Sequence, residues 1–67
     1  MKLETYTLWL GHYPVEFNSF EGYHVSHRTM TQGATPKIFT DIDFAEGVAE
    51  NLSRYGEITI ESATIEI

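Results

Sequence analysis

One segment of this chain has the spacing of an amphipathic helix, and it lies between stretches that alternate as strands do. In TDIDFAEGVAENLSRYG, residues 40–56, apolar side chains recur on one face at about 100° per residue. They are Ile42, Ala45, Val48, Ala49, Leu52 and Tyr55. A helix with one apolar face must bury it against another element, and no second helical pattern is present. The pattern predicts one helix packed on one face of a sheet.

The ends of this helix carry capping signals. Thr40 is predicted as the N-cap, and Asp43 three residues later completes a capping box. Phe39 and Phe44 are spaced to form a hydrophobic staple across the first turn. Gly56 is predicted as a left-handed C-cap that ends the helix.

The residues before the helix have the character of strands. LETYTLWL, residues 3–10, combines β-branched and aromatic side chains and predicts a strand covered on both faces. Apolar residues alternate from Tyr13 to Phe17, which predicts a half-buried strand. Residues 18–22 read as a turn in which Phe20 is a candidate for burial, and residues 23–30 as the next strand. Together these strands predict an antiparallel meander.

The last eleven residues, EITIESATIEI, alternate but change parity. Ile58 and Ile60 occupy even positions, whereas Ala63, Ile65 and Ile67 occupy odd ones. A bulge, a bend between two short strands, or one strand that changes the surface it covers would each explain the shift. The predicted fold is α+β: a small antiparallel sheet in the order β-β-β-α-β, with the last strand single or split, and the helix on one face. Residues 1–67 are predicted to form a single domain.

The absence of cysteine and of long apolar runs narrows the class of protein. A chain of 67 residues has a small core, and without cysteine it has no disulfide, iron–sulfur cluster or thiolate zinc site to support it. The first residues, MKLETYTLW, lack the apolar core of a signal peptide. No apolar run approaches the length of a membrane span of about 20 residues. We therefore expect a soluble, cytoplasmic protein.

The charge balance is strongly acidic. Ten acidic residues against four basic ones give a formal net charge of −6 at pH 7. This field repels phosphate backbones, so direct binding to nucleic acid is disfavoured. The same field attracts basic surfaces, which favours a protein partner with a basic surface. The alternative interpretation is that the charge only keeps a small protein in solution.

The stretch HVSH contains two of the three histidines. In a strand, His24 and His27 are an odd number of positions apart and would point to opposite faces. A shared metal would then need His12 and a carboxylate from elsewhere, which no pattern in the chain specifies. We predict no metal site and no cofactor, and keep a small histidine-dependent metal-binding protein as an alternative.

The catalytic motifs that we considered are not present. GATPK, residues 33–37, has proline before its lysine and isoleucine after it, so it is not a phosphate-binding P-loop. No serine lies in a G-x-S-x-G elbow. A domain of this size also has little volume for a concave pocket of ~300 Å³ or more. We expect no enzyme activity and assign no catalytic residue.

The predicted partner-binding residues are acidic and aromatic. Asp43, Glu46 and Glu50 lie opposite the apolar stripe of the helix, and Glu50 is spaced for an ion pair with Arg54. These carboxylates form either an acidic ridge that contacts a partner or an ordinary solvated face. Among the nine aromatics, Trp9 and Phe17 are assigned to the core, and Tyr13 and Tyr23 to contact with the partner.

The leading hypothesis is a non-catalytic, acidic protein-binding module. In its sharpest form it is a small phage-type inhibitor of a nucleic-acid-handling complex, similar in kind to anti-CRISPR or anti-restriction proteins, acting in the host cytoplasm. The main alternative is a structural homodimer or larger homo-oligomer that assembles by strand addition through EITIE or ATIEI.

Overall fold

The computed structural model describes all of residues 1–67 and has a four-stranded antiparallel sheet with a single α-helix. This confirms the predicted α+β fold class. The helix has 11 residues, and no helix of the structure is long and apolar enough to cross a membrane. The strands lie in the order β3-β2-β1-β4. The elements are β1 (Lys2–Leu10), β2 (Tyr13–Asn18), β3 (Gly22–Val25), α1 (Ile42–Leu52) and β4 (Thr59–Glu66).

The first three strands form the predicted meander, but β2 pairs with only a short part of β1. The paired residues of β1 and β2 lie next to the turn, with Trp9 opposite Pro14. Beyond them, Phe39 takes the place beside β1, exchanging two backbone hydrogen bonds of 2.8 Å with Tyr6. The β2–β3 pairing runs from Val15 opposite Val25 to the turn.

The prediction that β3 extends to Met30 is wrong. The strand ends at Val25, and residues Met30–Gln32 form a 3-10 turn. The side-chain Oε1 of Gln32, the last residue of this turn, accepts the backbone N–H of Thr29, the N-cap, at 2.9 Å. Local side-chain hydrogen bonds of this kind compete with a β ladder, which explains why the strand pattern does not continue.

The helix begins one residue later than the capping pattern predicts. Asp41 is the N-cap, because its carboxylate accepts the backbone N–H groups of Asp43 at 3.0 Å and Phe44 at 3.4 Å. The predicted contact of Phe39 with Phe44 is confirmed, with ring centroids 5.8 Å apart. Thr40 is exposed and is not the N-cap.

The end of the helix also differs from the prediction. The α-helix stops at Leu52 and continues as a 3-10 turn over Ser53–Tyr55. This change of helical pitch leaves Tyr55 60% exposed rather than on the buried face. Gly56, with φ 147° and ψ −172°, is not in the left-handed helical conformation predicted for the C-cap.

The core lies between the helix and one face of the sheet. Val48 and Leu52 of the helix pack with Leu8 and Val15 of the sheet. The full buried cluster is Leu8, Val15, Phe39, Ala45, Val48 and Leu52. Phe17 is 52% exposed, so its assignment to the core is wrong, and Trp9 is half-buried on the face away from the helix.

Strand β4 explains the change of parity. Its pairing with β1 is unbroken from Thr59 opposite Trp9 to Glu66 opposite Lys2, so it has no bulge and is not split. Directly opposed residues share a face of the sheet. Ile60, opposite Leu8, therefore faces the helix, and Ile65 faces the other side. Of the three interpretations left open by the sequence, the structure shows one continuous strand whose apolar side chains change from the helix side to the other side of the sheet.

Candidate functional site

The structure brings the two predicted contact tyrosines into one groove. Tyr13 and Tyr23 border a hollow of about 630 Å³ at the end of the helix. Its floor is the sheet face that the helix leaves uncovered, and its wall is the 3-10 turn with Arg54 and Tyr55. The length of the chain predicts little volume for a concave pocket in a domain of this size. The open hollow is present because an 11-residue helix covers only part of the sheet.

Strand alternation places the side chains of the groove floor. The register puts Tyr13 opposite Leu10, so both side chains lie on the helix side of the sheet. Tyr23 and Val25 of β3 alternate onto the same side. The guanidinium of Arg54 lies over the Tyr55 ring, 4.9 Å from its centroid. The groove therefore combines tyrosine hydroxyls, apolar surface and one permanent cation.

Tyr23 is also part of an aromatic cluster beside the groove. Its ring centroid lies 4.8 Å from that of Phe17 and 5.5 Å from those of both Phe39 and Phe44. These contacts join β2, β3 and the start of the helix. Tyr23 is half-buried, whereas Tyr13 is 43% exposed. Of the two predicted contact residues, Tyr13 is therefore the one free to contact a partner without loss of packing.

The acidic residues of the helix lie where the periodicity predicts. Asp43, Glu46 and Glu50 are exposed on the side opposite the buried stripe. The predicted ion pair between Glu50 and Arg54 is not formed, because Arg54 stacks on Tyr55 instead. None of the three carboxylates has a salt-bridge partner. We call these three residues the acidic helix face.

Phe20, which sequence reasoning considered for burial, is 99% exposed. It occupies the β2–β3 turn, where Oδ1 of Asn18 accepts the backbone N–H of Phe20 at 2.9 Å and of Glu21 at 2.7 Å. Gly22 closes the turn with φ 68°. The signal that could have shown this is the asparagine four residues before glycine, a spacing that suits a side-chain-capped turn and leaves the middle residues outside. Phe20 is thus an aromatic side chain presented on an ordered turn.

Glu16 links the long loop to the sheet on the face away from the helix. Its carboxylate accepts the backbone N–H of Thr35 at 3.0 Å and lies 3.6 Å from Nε2 of His24, the residue opposite it on β3. The hydrogen bond from Thr35 lowers the pKa of Glu16 below its ordinary value, with smaller contributions from the Ser26 hydroxyl and from the charges of His24 and Arg28. Sequence reasoning missed this contact, because the two segments are far apart along the chain.

We expect Glu16→Gln to lower the free energy of unfolding at neutral pH by about 1 kcal/mol. The pKa of Glu16 is lowered in the folded state, so its contribution is complete above the ordinary value of 4.5 and is lost as the pH falls through the folded pKa. Thermal melts between about pH 3 and pH 7 should therefore converge for the two proteins at the acid end. The control is Glu46→Gln, whose carboxylate has no salt-bridge partner. A constant difference across the pH range would contradict the role of Glu16.

The three histidines are not brought together. His24 lies beside Glu16 on the face away from the helix, whereas His27 follows the end of β3 at Val25 and borders the groove. The predicted strand does not reach His27, so strand alternation does not decide how this pair is arranged. His12 lies in a separate hollow of about 570 Å³ that also contains Trp9. No group of three or more His, Asp or Glu side chains is arranged to hold a metal ion.

The chain matches no protein-family model, and neither the curated proteins nor the solved structures include one that is similar to it. Two surfaces of the protein remain as guides to its function. One is the groove with Tyr13 and Tyr23, and the other is the acidic helix face.

Proposed function

We propose that this protein is a non-catalytic protein-binding module whose acidic helix face docks on a basic surface of its partner. The observation that carries the proposal is the lack of any salt-bridge partner for Asp43, Glu46 and Glu50, although Arg54 follows Glu50 at the right spacing in the 3-10 turn after the helix. Unpaired carboxylates keep their full field for an approaching cation. The net charge of −6 adds to the same attraction.

The spacing of these carboxylates favours a partner that handles nucleic acid. A helix rises 1.5 Å per residue, which separates the three positions by about 4.5 and 6 Å along the axis. A row of negative charges at such intervals resembles a phosphate backbone in its demand for lysine and arginine. In its sharpest form the proposal is a small phage-type inhibitor, of the anti-CRISPR or anti-restriction kind, that occupies a nucleic-acid groove in the host cytoplasm.

The groove at the helix end supplies the aromatic part of the proposed contact. Tyrosine and arginine are enriched among the residues that dominate binding energy at interfaces. Tyr13, Tyr55 and Arg54 lie together in this groove, and Glu50 lies one helical turn before Arg54. A partner that covers both surfaces would thus meet a charged ridge and an aromatic hollow side by side.

The test is capture from host lysate with Asp43→Lys, Glu46→Lys and Glu50→Lys combined in one variant. Reversing three charges should abolish retention of a basic nucleic-acid-handling protein, because each exposed contact that it removes is electrostatic. The matched control reverses Glu57, Glu61 and Glu66 and makes the same change in net charge elsewhere. Circular dichroism checks that both variants fold.

The result that supports the proposal has two parts. The wild type and the control retain the same basic protein, and duplex DNA or added salt releases it. Equal retention by the helix variant, or equal loss in both variants, contradicts a specific role for the acidic helix face. Tyr13→Ala is a second variant, and we expect it to weaken binding while leaving the salt dependence unchanged.

A further inference from the structure

Strand β4 leaves one whole edge of the sheet unpaired. The N–H of Ile67 donates to Met1, so odd-numbered residues of this segment direct their backbone groups toward β1. The even-numbered residues Ile60, Ser62, Thr64 and Glu66 must then direct theirs away from it. No backbone hydrogen bond outside the sheet uses these groups. They form a row of free donors and acceptors along an exposed strand of eight residues.

The half of the β1–β4 pair that lies far from the β1–β2 turn has no third strand beside it, and no element packs on either of its faces. Residues 2–4 of β1 and 61–66 of β4 are exposed throughout. The prediction that residues 3–10 are covered on both faces is therefore wrong for Leu3 and Glu4, whereas the rest of β1 is buried or half-buried. The Phe39 segment reaches β1 only at Tyr6. A two-stranded ribbon by itself is marginally stable in water, so a further strand beside this half would stabilise it.

This edge has few of the features that protect exposed strands. Native edges carry charged side chains, lysine above all, or proline, or a bulge, or are kept short. Strand β4 contains no proline or lysine and is paired without a bulge over its whole length, and its only charged residues are Glu61 and Glu66. The opposite edge of the sheet, β3, has only four residues. Of the two edges of the sheet, the longer one, β4, is therefore the better candidate for pairing with another strand.

We propose that the occupant of this edge is a second copy of the chain, paired antiparallel through β4 about a two-fold axis at Thr64. In this register Thr64 lies opposite its own equivalent and Ser62 opposite Glu66, which allows about six backbone hydrogen bonds between the copies. Ala63 lies opposite Ile65 twice, once on each side of the axis. The two sheets become one sheet of eight strands.

Charge and apolar pattern select this register. Pairing about Glu61 would place two carboxylates opposite each other, which destabilises a sheet. Pairing about Ala63 would place Glu66 opposite Ile60. Pairing about Thr64 keeps the two Glu66 carboxylates about four residues, roughly 13 Å, apart along the strands. It also gives an apolar row of Leu3, Ile65 and the second copy's Ala63 on the face away from the helix.

Pairing of two copies through β4 is independent of docking by the acidic helix face, and the response to salt distinguishes the two. Each copy carries a charge of −6, so the copies repel and added salt should strengthen their association. Docking of the acidic helix face on a basic partner should weaken under the same change. If pairing through β4 is not observed, the proposed docking of the acidic helix face still stands, and the reverse is also true.

The first test is the mass of the purified chain across concentration by sedimentation velocity. We expect a monomer at low concentration and a doubled mass at high concentration, with the transition moving to lower concentration in salt. Thr64→Pro should hold the protein at the monomer mass, because it removes an outward N–H that the monomer does not use. Thr64→Ser, which retains the N–H, should behave as the wild type. A monomer at every concentration would overturn the proposal.

The second test does not depend on how well the proline variant folds. The chain has no cysteine, so Thr64→Cys introduces a single thiol at the axis. A short bis-maleimide should link the two copies of this variant efficiently. In the matched variant Ser62→Cys the two thiols lie about 13 Å apart along the strands, and linking should fall at least tenfold. Equal linking in both variants, or preference for Ser62→Cys, would overturn the register and with it the proposal.

Discussion

Leu8→Ala is expected to lower the free energy of unfolding by about 2–5 kcal/mol, the largest loss that a single substitution here should cause. Leu8 is 0% exposed and lies in the buried cluster with Val15 of β2 and Val48 of the helix. Truncating it removes buried methyl groups and leaves a cavity that the surrounding strands cannot fill. A domain of this size has a total stability of only about 3–10 kcal/mol, so at the lower end of that range much of the protein should be unfolded at 25 °C.

Urea denaturation followed by circular dichroism measures this effect. The matched control is Leu3→Ala on the same strand, where the side chain is 37% exposed and outside the buried cluster. At concentrations that keep the chain monomeric, its loss should stay below about 1 kcal/mol. Equal losses at both positions would show that the core is not centred on Leu8.

The second large effect is expected at Gly56, where Gly56→Ala should cost about 1–3 kcal/mol. Its φ of 147° is a conformation that side chains with a Cβ rarely adopt. A Cβ built there would lie 2.8 Å from Cδ1 of Leu10. The leucine tip can move aside, so the backbone accounts for most of the loss. Because Leu10 borders the groove, its displacement should also weaken any binding in which Tyr13 takes part.

Gly47→Ala is expected to raise the stability of the protein, whereas Gly56→Ala should lower it. Gly47 lies within the helix, is exposed, and has no atom within 4 Å of a Cβ built on it. Alanine should stabilise the helix there by about 1 kcal/mol. Thermal melts of the two variants should therefore shift in opposite directions. A stabilising effect of Gly56→Ala would contradict the strained geometry described for that residue.

Local patterns predicted the elements and their inward faces well. The β-branched and aromatic composition of β1, the alternation in β2 and the helical spacing of Ala45, Val48 and Leu52 each report on residues close in sequence. The structure confirms the strands, the helix and the burial of these three helix residues, but not that of Phe17 or Tyr55. The acidic helix face followed from the same periodicity. The helix start was wrong by one residue, because Thr40 and Asp41 are both good N-caps and only the backbone conformation of Asp41 decides between them.

The partner surfaces were only partly predictable. Tyr13 and Tyr23 were identified as aromatics in excess of a small core, but the groove that unites them depends on where the helix stops above the sheet. Arg54 could have paired with Glu50 or stacked on Tyr55, and both choices are local and close in energy. The stacking, and with it the unpaired charge of the helix, is visible only in the folded chain.

The sequence by itself determined the fold class, the single helix with its buried stripe, and the excess of negative charge, since each depends on residue type and short-range period. The tertiary structure decided which of three explanations applies to β4, how Glu16 meets Thr35, and which edge of the sheet remains free. These features depend on contacts between residues far apart along the chain, such as Thr64 and Glu4, which are 60 positions apart. Such contacts are set by register and packing, which no local pattern encodes.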